Sequence, residues 1–162
     1  MNLTNNGKGY LYNKNLKDML NEIANGGVVG RVLTSPTVAI GTSSKAKIKT
    51  SAFTYLKDGV ITSVAGAETA FTATTHDLAD GEEAVYVLSL LPSNDSFVVT
   101  MGTAVVSDDD SAVVPATPDG NIKLGEVLIA TDGAAFDAST TLLDAATVTD
   151  TYNSNLDTLG LI

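Results

Sequence analysis

The chain has 162 residues, 44% of them hydrophobic and 6% aromatic, with no Cys and no Trp. The absence of Cys excludes a disulfide framework and a thiolate metal site, and a formal net charge of −10 disfavours nonspecific nucleic-acid binding. That charge is divided: residues 1–57 hold eight of the nine basic residues against Asp18 and Glu22, a net of +6, while residues 58–162 hold Lys123 against 17 acids, a net of −16.

Residues 1–12 are rich in Asn and Gly and read as an extended arm that orders on a partner. The start is polar, with no apolar core of a signal peptide. Asn15 is an N-cap for a short helix, and Leu16, Met19, Leu20 and Ile23 fall on one face at i, i+3, i+4 and i+7. Gly26-Gly27 ends it. At about ten residues such a helix is marginal alone, so its stripe must pack on the body, a sister chain or another protein.

From Val28 the texture is β. Val28–Leu33 is a short run broken by Pro36, and Val38–Ile40 follows. Lys45, Lys47 and Lys49 alternate with Ala46 and Ile48, which sets three lysines on one face of a strand. Those lysines either meet an anionic partner or protect a sheet edge. Phe53 and Tyr55 share the lysines' parity, so a bulge or a change of strand is expected near Thr50–Ala52. Asp-Gly recurs at 58–59, 80–81, 119–120 and 132–133, each a turn signal, and Lys57-Asp58-Gly59 reads as a hairpin. Ala84–Leu91 is almost wholly apolar and reads as a central buried strand. Pro92–Asp95 turns it into Phe97–Met101. Ala104–Val106 and Ala112–Val114 flank an acidic hairpin tip at Asp108–Asp110, and Leu124–Ala130 is a further strand. From Thr140 the pattern weakens. No apolar run approaches the roughly 20 residues of a membrane span.

Candidate chemistry is sparse. His76 is the only histidine; a triad would need it beside a nucleophile and an acid, and a loop-anchoring role is the plainer reading. Three consecutive aspartates on an extended chain point alternately, so Asp108–Asp110 offers at most two ligands to one Ca²⁺, which wants six to eight oxygens. Carboxylate pairs for glycoside hydrolysis are numerically available, but the aromatic platforms that accompany sugar clefts are few. No Gly-rich phosphate loop follows a strand into a helix.

The order of a Thr-rich strand, the turn Thr75-His76-Asp77-Leu78-Ala79-Asp80-Gly81, the strand Tyr86–Leu90, Val99-Thr100-Met101-Gly102-Thr103-Ala104, Pro115-Ala116-Thr117-Pro118-Asp119-Gly120 and Leu124–Ala130 resembles structural proteins of tailed-phage virions. Capsid decoration (cement) and head-fibre proteins are notable among them, and related strings occur in tail fibres and baseplate proteins. The resemblance spans about residues 37–146. It implies a β-sandwich or β-tulip-like domain, commonly trimeric on an icosahedral shell, with no catalytic residues to carry over.

The expectation is therefore a mainly β protein: a β-sandwich or barrel over residues 36–150, preceded by a basic arm with one short helix over 1–35 and followed by a tail over 151–162. The expected role is non-enzymatic decoration of a phage head in the virion, without cofactor, metal, nucleic acid or membrane. Its partners would be the major capsid protein and itself, as a homotrimer. Lys8, Lys14, Lys17, Arg31, Lys45, Lys47 and Lys49 are the anchoring candidates; Leu16, Met19, Leu20 and Ile23 are the packing candidates. A tail-fibre, baseplate or receptor-binding component is the alternative.

Overall fold

The computed structural model describes residues 31–41, 47–57, 60–107 and 111–154, with Arg31 described through its backbone alone. The expected helix, most of the arm, Lys45 and the acidic tip lie outside these residues. Among the described residues there are eleven strands and no helix, and every pairing is antiparallel.

The largest sheet is built on β7 (Glu82–Leu91), the strand legible as an apolar run. It pairs with β8 (Ser96–Met101) on one side and β10 (Ile122–Thr131) on the other, and β11 (Val148–Asn153) follows β10. The short β9 (Val105–Val106) also pairs with β7, beyond the end of β8. Ala84, Tyr86, Leu88 and Leu90 point from β7 into the core. Val85, Val87 and Ser89 point the other way yet are also buried. Residues 111–121 cover that second face. The Ala112 amide donates to Glu83 Oε1 at 3.2 Å, and Asn121 Nδ2 donates to Ser89 Oγ at 3.0 Å. At Gly102, opposite Val85, a Cβ would lie 2.6 Å from the Val113 carbonyl. Burial on both faces is why β7 reads as continuous hydrophobicity rather than as alternation.

Two smaller sheets complete the core. One has the order β1 (Arg31–Val32), β4 (Phe53–Lys57), β5 (Val60–Val64). The other has the order β2 (Val38–Ile40), β3 (Lys47–Thr50), β6 (Glu68–Ala70). The slip of phase after Lys49 is a change of strand: Ile48 and Thr50 bury from β3, then the chain crosses to the other sheet and buries Phe53 and Tyr55 from β4. β1 and β2 lie against β10, β2 against β11, and β6 against β8. One cluster of buried side chains joins all three sheets, from Val32, Val38 and Ile48 to Tyr86, Val127 and Phe136.

Close packing on β10 requires a glycine. A Cβ on Gly125 would lie 2.5 Å from Val38 Cγ2 and 3.0 Å from the Asn153 carbonyl. The register of β10 on β7 shifts at the same place, between Lys123 and Gly125, so the buried series passes from Ile122 and Leu124 to Val127, Ile129 and Thr131.

Four expectations change. The sheets are open, not closed into a barrel, because the chain leaves one sheet for another instead of extending a single one. Ala104–Val106 and Ala112–Val114 do not pair with each other: β9 takes the exposed edge of β7, while residues 112–114 belong to the covering segment. β11, one of the five strands of the large sheet, occupies the weakly patterned end and runs past residue 150 to Asn153. At the other end, β1 lies within the span read as the arm, and its Val32 is in the core.

Candidate functional site

Two places combine unusual chemistry or exposure with defined geometry: the loop around His76, and the surface of the two small sheets.

The loop after β6 closes on itself. The His76 amide donates to the Thr72 carbonyl at 3.0 Å, and the Thr72 amide donates to His76 Nδ1 at 2.8 Å. Nδ1 is thus an acceptor and the ring proton sits on Nε2, where the Val99 carbonyl of β8 accepts it. Tyr86 donates to the His76 carbonyl at 2.8 Å. Asp77 holds both sides of the loop, accepting from the Thr74 amide at 3.0 Å and from the Ala138 amide at 2.9 Å. Leu78 and Phe136 exchange backbone bonds at 2.9 Å, so a second loop is clasped to the first. Phe71 stacks edge-on against His76, Tyr86 and Phe136, with centroids 5.0–5.9 Å apart.

Burial pushes the His76 pKa below its ordinary value; the Val99 carbonyl and the Asp77 charge oppose this but do not reverse it. Burial, then the Asp77 and Glu82 charges, push the Tyr86 phenol well above its ordinary range, so it remains a donor. Every polar atom named here is engaged in holding the loops. Among the described residues this arrangement anchors, with both ring nitrogens of His76 engaged by backbone groups. Among the described residues no three His, Cys, Asp or Glu side chains gather as a metal site.

The lysine row is placed on the small sheet as its alternation requires: Ile48 and Thr50 point inward, Lys49 is exposed and Lys47 is partly so. β3 is the middle strand of its sheet, so these lysines do not protect an edge. Lys47 Nζ lies 3.8 Å from Glu68 Oε2 on β6, a surface pair worth about 0.2–1 kcal/mol. Arg31 pairs through its backbone with Leu56. Lys8, Lys14, Lys17, Lys45, Leu16, Met19, Leu20 and Ile23 lie outside the described residues, as do Asp108–Asp110.

Sequence reasoning did not single out β5. Val60 and Ile61 are 63% and 67% exposed, and the strand Val60-Ile61-Thr62-Ser63-Val64 carries no charge. The hairpin signal at Asp58-Gly59 located the strand; only the sheet order shows that it is an edge.

No family model, no curated protein and no solved structure matches this chain. Among the described residues there is no helix long and apolar enough to cross a membrane.

Proposed function

We propose that this protein is a non-enzymatic virion component that decorates a tailed-phage head, binding the assembled shell through its basic N-terminal segment and associating with copies of itself, as a homotrimer. In this reading the three sheets form a sandwich-like body around their shared core. The observation that carries the reading is the division of charge, +6 over residues 1–57 against −16 over the rest. A basic segment suits an acidic shell surface, and an acidic body keeps the outward side soluble. The clasp around His76 supports it as well, since the buried polar groups there serve to hold loops.

Protein that binds only the assembled shell stabilises that shell by mass action. Cosedimentation of the full-length chain with undecorated tailed-phage heads tests this. Saturable binding is expected, weakening as salt rises and lost when Lys8→Glu, Lys14→Glu and Lys17→Glu are combined. Deleting residues 1–35 would be a poorer test, because Val32 belongs to the core. Binding to host cells but not to heads would overturn the decoration reading in favour of a receptor-binding component.

A further inference from the structure

An aspartate followed by glycine is open to a spontaneous rearrangement, because no Cβ hinders the glycine nitrogen. That nitrogen attacks the protonated aspartate carboxyl. The N–Cγ bond forms, a C–O bond breaks, and the hydroxyl leaves with the amide proton as water. Water then reopens the succinimide ring. Cleavage at Cγ restores aspartate, whereas cleavage at the α-carbonyl leaves isoaspartate, whose main chain runs through Cβ and Cγ. Water is lost and regained, nothing is oxidised or reduced, and no other reactant is needed. The peptide must rotate to reach this geometry, so hydrogen bonds that lock a turn oppose it.

Three Asp-Gly pairs lie among the described residues, each with an exposed aspartate and a glycine at positive φ. They differ in what holds them. At Asp80-Gly81 both flanks are tied: the Glu82 amide donates to the Ala79 carbonyl at 3.3 Å, the Ala79 amide to Glu82 Oε2 at 2.9 Å, and the Ser107 amide to the Gly81 carbonyl at 3.0 Å. Asp119-Gly120 is the centre of a closed turn, in which the Asn121 amide donates to the Pro118 carbonyl at 3.0 Å. The Asn121 side chain then fixes the exit of that turn on Ser89.

Asp132-Gly133 is anchored on its entry side, where the Asp132 amide donates to the Thr147 carbonyl at 3.0 Å. Beyond it Gly133, Ala134 and Ala135 are exposed, and among the described residues no backbone hydrogen bond holds them. The next tie is the Phe136 amide on the Leu78 carbonyl at 2.9 Å. We infer that Asp132, of these three aspartates, is the one the fold leaves free to convert to isoaspartate, and that the folded body tolerates the product. Isoaspartate adds an extra backbone carbon between two buried anchors, Thr131, whose Oγ1 donates to the Ala79 carbonyl at 2.7 Å, and Phe136. The exposed residues between them take up the added length. The same insertion at Asp80 or Asp119 would open the hydrogen bonds that close those turns. Head decoration is not needed for any of this.

The test ages the wild-type, full-length chain in warm, mildly acidic buffer below its unfolding transition, beside the same chain denatured in guanidinium. Peptide mapping, with fragmentation that separates isoaspartyl from aspartyl linkages, follows Asp80, Asp119 and Asp132. In the denatured chain all three should convert at similar rates. In the folded chain Asp132 should stay close to its denatured rate and convert several-fold faster than either of the others, while the circular dichroism spectrum holds. Equal protection of all three, faster conversion at Asp80 or Asp119, or loss of the spectrum in step with conversion at Asp132 would each overturn the inference.

Discussion

The loop around His76 and the edge of β5 treat backbone polar groups in opposite ways. Around His76, ring nitrogens, a phenol and a carboxylate are spent on main-chain amides and carbonyls, and the loops they hold cover the edge of β8. β5, by contrast, is the end strand of its sheet among the described residues, and two of its aliphatic side chains are exposed. Both regions belong to one core, so general looseness does not explain the difference. Fixing a loop with a buried imidazole costs desolvation, which is offset only when each polar atom finds a partner. The contrast teaches that, among the described residues, polar side chains gather where loops must be held on the core, while the outermost strand of a small sheet carries only uncharged ones.

The strongest way to break the contrast is to empty the clasp. Phe136 is fully buried, stacks on Phe71 and exchanges two backbone bonds with Leu78. Phe136→Ala should cost about 3–5 kcal/mol by loss of buried area and creation of a cavity, measured by urea unfolding followed by circular dichroism. A loss below about 1 kcal/mol would mean that the second loop is not part of the cooperative core.

A gentler change separates the hydrogen bond from the packing. Tyr86→Phe keeps the ring against Phe71 and His76 but leaves the His76 carbonyl without its donor. The expected loss is about 1–2 kcal/mol. An unchanged midpoint would show that this carbonyl does not depend on the phenol.

Much of this was legible in the chain, and the reasons for the rest are specific. β7 announced itself because both its faces are buried. The lysine alternation gave the faces of β3, and the slip of parity gave the crossing to β4. Asp-Gly turns appear with positive φ at Gly81, Gly120 and Gly133. β11 was hidden because its inward series, Val148, Asp150 and Tyr152, is interrupted by a carboxylate. The register shift in β10 and the segment over the second face of β7 depend on contacts distant in sequence, such as Gly125 with Val38 and Asn121 with Ser89. Edge status is a property of sheet order, so the significance of Val60 and Ile61 was invisible locally. The anchoring and packing candidates in residues 1–30 rest on sequence pattern alone.

The finest probe of the contrast is pH. His76 is held neutral: Nδ1 already accepts the Thr72 amide, and a second ring proton would point at that N–H. Its folded pKa lies below the ordinary 6.5, chiefly through burial, with the Val99 carbonyl and Asp77 opposing. The unfolded chain therefore takes up a proton at a higher pH than the folded one. The contribution from His76 is complete above pH of about 6.5 and falls as the solution is acidified through that value towards the folded pKa. Unfolding free energies measured between pH 7.5 and pH 5 should decline for the wild type, and the decline should be shallower in His76→Gln after the loss common to all pH values is subtracted. Other groups titrate near the lower end of this range, so the difference between the two slopes carries the test. Parallel curves would show that the imidazole pays no protonation penalty in its loop. A variant carrying Val60→Lys and Ile61→Lys supplies the matching control, since both positions are exposed and a lysine side chain does not titrate in this window, so its slope should follow the wild type.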